Sequence, residues 1–600
     1  MSAPAAMAED AIEIHPGTPN IYFETKVVKG EDTAPLMESL PHVVEDDLYV
    51  GRQPHLPIEP DVGFAYFNEN GELIIHSKSV ALHFHALMIA DGIGLPLDKV
   101  KIVQNPTGGT FGYKFSPTIE ALLGVAAIAT NKPVYLEFNM YQQITYTGKR
   151  SPFFMHLKMG ADDKGKINAL ETDWSVDHGP YCEFGDLVTM RGSQFMGAGY
   201  KIDNIRGAGR TVCTNHAWGS AFRGYGSPQS LFASEQMVDE LAIKMGIDPL
   251  DFRYNNVLRE GDVTPNGCKP DVYALPGLLD MVRPCWTKAK ETAKQKNQNS
   301  TDKKYGCGIS LLIYGCGLDG ADSSEAWAEI TKDGVTVANS WEDHGQGADM
   351  GTLVMAHETL RKAGYKPEDI KLILNDMNYT PNSGPAGGSR SNVLTGNATR
   401  VACENLLEGM RKEDGTYRTF DEMVAENKPL RYDGKWTAPC TACDVETGQG
   451  NPFPVYMYGV LVAEVEVDLT TGKTHVDKLT IASDVGTIIN KLVVDGQILG
   501  GLVQGIGLAL YEDFEDLQKH TTLIKCGIPQ IKDVTDDITL LYQETPRPLG
   551  PYGAAGAGEM PLSAPHSAII SAIYDACGVR ITHLPAYPEK VLAGLKNLNK

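Results

Sequence analysis

The chain has 600 residues, 42% hydrophobic and 22% charged, more than one hydrophobic core usually organises, so at least two large domains are expected. Its 53 Lys and Arg against 76 Asp and Glu leave a net charge of -23, which speaks against nucleic acid or an anionic membrane surface as a main partner. No basic leader opens the sequence, no uninterrupted apolar run reaches membrane-spanning length, and 11 scattered cysteines lack the density of a disulfide scaffold, so a cytoplasmic protein with reduced thiols is expected.

Along the chain, His83 and His85 in ALHFHAL come first; without a third ligand they read as structural histidines. Gly108-Gly109-Thr110-Phe111-Gly112 then leads into an apolar helix over 119–130. VYLEFNMY (134–141) and KINALETDWSVD (166–177) read as strands, and Ala221-Phe222-Arg223-Gly224-Tyr225-Gly226 leads into the helix SLFASEQMVDELAIKM. The polar tract 288–304 reads as a boundary, giving a first domain over 1–290, a linker over 291–304 and a second domain over 305–600. Beyond it GVTVANSWED (334–343) reads as a strand, DHGQGADM leads into a helix, and GGSRSNV precedes the helix RVACENLLEGMRK. Cys440 and Cys443 form the one CxxC, with no second pair to complete a four-thiolate site. GGLVQGIGLALYED from Gly500 and GAAGAGEMPLSAPHS from Gly553 are two more turn-to-helix junctions. Strand runs alternating with helical patterns make the class α/β in the mixed α+β sense.

Six glycine-rich junctions are the feature that calls for a ligand. Each offers the unpaired N–H groups of a first helical turn, and glycine admits a ligand close to the backbone. With Arg223, Gln346, Ser389, Arg390 and Gln504 among them, they read as loops wrapped around one long, polar, phosphate-bearing ligand. The usual nucleotide and hydrolase signatures are missing: Gly472-Lys473-Thr474 lacks the upstream glycine of a P-loop, His357-Glu358 is not followed by a second histidine, and no GxSxG occurs.

At these junctions the sequence resembles the molybdopterin-binding large domains of the xanthine dehydrogenase and aldehyde oxidoreductase family, in particular the aldehyde oxidoreductases of sulfate-reducing bacteria. Five motifs carry the likeness: GGTFG from Gly108, AFRGYG from Ala221, Gly345-Gln346-Gly347, Gln504-Gly505-Ile506-Gly507 and Gly556-Ala557-Gly558-Glu559. The resemblance implies two large elongated domains with a molybdenum-bearing pterin between them, extended in bacteria as the cytosine dinucleotide. It implies that this cofactor is held by Gly109, Thr110, Phe111, Gly112, Tyr113, Lys114 and Phe115, by His344, Gly345, Gln346 and Gly347, by Gly388, Ser389 and Arg390, and by Gln497, Gln504 and Gly505, with Arg223 a cation that anchors either cofactor or substrate. No side chain ligates the metal directly. Glu559 matches the family's catalytic glutamate, and a carboxylate suits the base that hydroxylation needs. Sequence leaves open whether a helix dipole lowers its pKa or burial raises it.

Purine-oxidising members place a glutamate where this chain has Phe115; with Tyr225, Phe115 suggests an apolar substrate channel suited to small aldehydes. Carbon monoxide dehydrogenases carry a cysteine in the loop matching AFRGYG, and this chain has none there. The resemblance also implies 2Fe-2S clusters on a further domain or partner chain, and a dimer or hetero-oligomer. Two alternatives stay open: a hydroxylase of N-heterocycles, and a truncated, cofactor-free relative that acts as an interaction protein.

Overall fold

One plan is used twice along the chain. The structure, a computed structural model, describes residues 1–598. In the first half a large sheet takes the order Ile21–Lys29, Asn204–Cys213, Ile167–Gly179, Phe153–Ala161, His42–Val50. From His42–Val50 inward the pairings are antiparallel, antiparallel and parallel. The second half repeats them with Lys303–Cys316, Val455–Asp468, Thr474–Asp484 and Ile538–Tyr542. Between the first two strands of each such series the chain detours through a smaller sheet. One is Val100–Gln104, Leu73–Ser77, Val62–Phe67, Val134–Glu137; the other is Ile370–Leu374, Gly334–Asn339, Ser323–Thr331, Arg431–Thr437. Both pair parallel, antiparallel, antiparallel in that order. The small sheets touch through equivalent strand ends, where Gln104 N–H donates to Asn375 O at 2.9 Å and Met377 N–H to Ile102 O at 3.2 Å.

Four helices follow equivalent strands in each half. Leu82–Ile93 corresponds to Ala348–Leu360, Thr118–Thr130 to Ser391–Met410, Gly185–Phe195 to Lys491–Leu510, and Ser227–Met245 to Pro565–Cys577. Glycine sets how closely they pack. A Cβ at Gly308 would strike the backbone of Ala568 and Ala572, and one at Gly434 that of Ala398 and Ala402, so these helices lie directly on their strands. One large hydrophobic core runs through both large sheets, from Val27 to Val591, and each small sheet has its own.

The α+β class agrees with the sequence reading, while three local expectations do not. The supposed linker 291–304 is the end of the helix Leu275–Gln298 and the start of the strand Lys303–Cys316. The polar run 288–304 conceals Ala289 and Ala293, buried one above the other in register with Val282 and Trp286. The strand read over 134–141 stops at Glu137, because Asn139 and Gln142 form a capping box that starts the helix Met140–Tyr146. The junction placed at Gly500 lies inside the helix Lys491–Leu510. Gly501 and Gly505 there leave room for Pro561 and Pro565. This 20-residue helix, with mean hydropathy 1.5, is long and apolar enough to cross a membrane by length and composition, and here it packs against residues 560–565.

Candidate active site between the two halves

A cavity of about 810 Å³ lies among the loops that lead into these eight helices. Each equivalent pair contributes to its wall: His83 and Phe84 with Gly345 to Gly351, Gly109 to Gly112 and Phe115 with Gly384 to Asn392, Phe184 and Leu187 with Asn490 and Gln497, and Ala221 to Arg223 with Ala554 to Glu559. The last pair meets in the cavity wall, where Gly224 N–H donates to Glu559 Oε2.

Loop is tied to loop by short bonds. Arg223 N–H donates to Phe111 O at 2.8 Å, Gly109 N–H to His344 O at 3.1 Å, and Glu559 N–H to Ser389 Oγ at 2.9 Å. Left-handed backbone at Gly109, Phe111, Gly112, Gly345, Gly347 and Ser389 makes these tight turns possible. Phe111 and Ser389, in equivalent loops of the two halves, hold that conformation without being glycine, which costs on the order of 1 kcal/mol each.

Several side chains nominated as cofactor ligands are spent on bracing. Arg390 forms a bidentate pair with Asp322 at 2.7 and 2.8 Å and also donates to Ser383 O. Gln346 turns back to accept from His344 N–H and donate to Glu342 O. Arg223 donates to Gly558 O, Gln497 O and Gln504 Oε1. Tyr113, Lys114, Gln504 and Gly505 do not line the cavity. Tyr113 OH donates to buried Asp61 at 2.6 Å, and Lys114 Nζ to Glu59 Oε2 at 2.8 Å, a carboxylate that also accepts from Gly108 N–H. Gln504 reaches the site only through Arg223, and Gly505 serves packing. Gly109, Thr110, Phe111, Gly112, Phe115, Arg223, Tyr225, His344 to Gly347, Gly388 to Arg390, Gln497 and Glu559 do line it.

Burial raises the Glu559 carboxyl above its ordinary range, against the pull of Gly224 N–H and of Arg223, Arg150 and Arg191. The helix-dipole alternative loses its basis, because the glutamate precedes only the three-residue turn Met560–Leu562, and the helix Pro565–Cys577 starts later. Burial also lowers Arg223 to about 10 and Arg150 to about 9, so the arginines stay charged at neutral pH. His344 falls to about 4 and is neutral.

Phe84, Phe115, Phe184 and Leu187 form an apolar wall, Phe115 standing edge-on to Phe184 with centroids 6.4 Å apart. Tyr225 spends its hydroxyl proton on Phe184 O at 2.6 Å. His85 holds Phe115 in place through Nε2 and the Phe115 carbonyl at 2.7 Å. Cys440 and Cys443 are buried free thiols, and no cluster of three metal-ligating side chains occurs among the described residues.

The cavity has room for a ligand larger than an aldehyde and unpaired polar groups to meet it. Four buried polar atoms of its wall, His83 Nε2, Tyr314 OH, Asp319 Oδ1 and His344 Nδ1, have no protein partner, and helix N-termini supply further N–H donors. Residues 14–257 and 282–535 match two molybdopterin cofactor-binding domain families. Over 598 residues the chain is 59% identical to the aldehyde oxidoreductase of Megalodesulfovibrio gigas, covering 99% of this chain and 66% of that one. The chain belongs to the molybdenum hydroxylases of the xanthine dehydrogenase and aldehyde oxidoreductase family.

Relatives within these hydroxylases are longer. The xanthine dehydrogenase/oxidase of Felis catus is 27% identical over 95% of this chain and 45% of its own length. The solved aldehyde oxidoreductase of Desulfovibrio desulfuricans superimposes with a TM-score of 0.97 at 60% identity, over 99% of this chain and 66% of that one. Quinoline 2-oxidoreductase of Pseudomonas putida shares the fold, with a TM-score of 0.86 at 22% identity. Glu559 lies past the end of the second matched domain, so its role rests on the geometry above. Sequence reasoning missed the helix starts at Leu82 and Gly185, and with them Phe84, Phe184 and Leu187, because neither start carries a paired-glycine motif. The repeated topology is the signal that finds them.

Proposed function

We propose that this molybdenum hydroxylase chain oxidises small aldehydes to carboxylic acids, with water as the source of oxygen and Glu559 as the base. The observation that carries this reading is a carboxylate held by a backbone N–H in the wall of a cavity that also has an apolar aromatic side. When bound, the molybdenum cofactor supplies the two-electron oxidation. The chain's residues do the rest. Helix starts and orphaned polar atoms hold the cofactor, and Arg223 fixes the Gly558 carbonyl beside the base. Glu559 Oε2 is occupied by Gly224, which leaves Oε1 to take the proton of the attacking oxygen. Phe84, Phe115, Phe184 and Leu187 exclude water and offer no partner to a heterocycle nitrogen, which favours aldehydes over purines. The name of the 59% identical relative supports the same substrate class.

The number of phosphate-accepting helix starts supports the dinucleotide form of the pterin, and the greater length of the relatives supports an iron-sulfur domain or partner as the electron exit. Eleven free thiols support a reducing, cytoplasmic setting. Turnover of the cofactor-loaded protein with an artificial electron acceptor tests substrate class. Acetaldehyde and benzaldehyde should be oxidised well ahead of hypoxanthine or quinoline; preference for a heterocycle would overturn the reading.

A further inference from the structure

The peptide group that touches Glu559 is itself held from its other end. Gly224 N–H donates to Glu559 Oε2, and the carbonyl of that same peptide, Arg223 O, accepts from Arg150 Nη2 at 2.8 Å. A cation on the carbonyl end of a peptide draws electron density away from its N–H, so the two hydrogen bonds strengthen each other. Arg150 is 1% exposed and has no freedom to leave. Its Nε donates to Gln53 Oε1 at 2.8 Å, its backbone N–H donates to Gln53 O at 3.0 Å, and its guanidinium stacks 4.1 Å from the Phe222 ring centroid.

We propose that Arg150 is a positioning residue for Glu559, acting through the Arg223–Gly224 peptide to keep the carboxylate aimed and ionised; the inference rests on Glu559 being the base of the proposed reaction. The other groups facing Glu559 have different duties. Arg223 is committed to Gly558, Gln497 and Gln504, and Arg191 of the helix Gly185–Phe195 donates to Gly317 O and Leu318 O. Tyr314 and Cys316, on the strand Lys303–Cys316, are pushed by burial above their ordinary values and stay neutral. Ser389 holds only the Glu559 backbone N–H. Behind Arg150, Gln53 Nε2 donates to Glu512, whose carboxyl burial raises to about 8, so at neutral pH it does not compete for the arginine's charge. Burial likewise keeps His55 and His566 neutral beside it.

The test reads Glu559 directly. The carboxyl C=O stretch, isolated by infrared difference against E559Q, is titrated in the cofactor-loaded protein for wild type, R150K and R150M. In R150M the midpoint should rise by about one pH unit, with the acid limb of kcat moving equally and KM unchanged. R150K, which keeps the charge and loses the planar fork, should fall between the two. A wild-type midpoint in folded R150M would overturn the proposal; should R150M fail to fold, a wild-type midpoint in R150K would do the same. Aldehyde turnover missing from wild type while the midpoint still shifts would remove the proposed function alone. Turnover present with an unmoved midpoint would remove the role of Arg150 alone.

Discussion

Glu559 combines an enclosing cavity that disfavours its charge with three arginines and a peptide N–H that favour it, and burial prevails. In the proposed role as base, a raised pKa lets Glu559 hold a proton more strongly and makes turnover fall as pH drops through that pKa. Glu512 is the neighbouring case without a chemical duty. Its carboxyl rises from 4.5 to about 8 through burial, so the folded state favours the neutral form. The resulting stability is complete below 4.5, where both states are protonated, and is lost as pH rises to about 8. E512Q, which cannot ionise, should therefore gain thermal stability relative to wild type steadily over that range and level off above it. A constant difference in Tm across that range would contradict the assignment. At this scale the sequence pointed to Glu559 and Phe115, because short motifs carry them. Gln53, Arg150 and Glu512 were illegible, since they meet only through contacts 97 and 459 residues apart. Lys114 and Tyr113 sit inside a motif, yet their acidic partners Glu59 and Asp61 belong to a stretch that no motif marks.

Helices and strands were legible where periodicity was clean, as in Ser227–Met245 and Ile167–Gly179. They were not where small residues stood in for the usual signal. Ala289 and Ala293 gave a polar tract a buried face, and glycines in Lys491–Leu510 looked like a turn. Those glycines answer to packing. A Cβ at Gly505 would overlap Pro565 and one at Gly501 would overlap Pro561, where the helix leans on the chain between Glu559 and Pro565. Gly505→Ala gains about 1 kcal/mol of helix propensity. It should nonetheless lower stability by about 1–3 kcal/mol through overpacking, read from the urea midpoint. A more stable variant would mean that this contact is looser than described.

The two halves share an order of strands and helices that no short repeat in the sequence betrays, because the equivalent loops, GGTFG and GGSR, or AFRGYG and GAGE, have diverged in residues while keeping their place. The repeated order puts equivalent loops of the two halves around one cavity, where the glutamate of one half rests on a peptide of the other. The proposed function separates two duties: holding the cofactor would be spread over loops of both halves, while moving the proton would fall to Glu559. Glu559→Gln in cofactor-replete cells, followed by molybdenum analysis and aldehyde turnover on the same preparation, measures both at once. The expected result is wild-type molybdenum content with turnover abolished; turnover near wild type in the molybdenum-loaded variant would contradict the account.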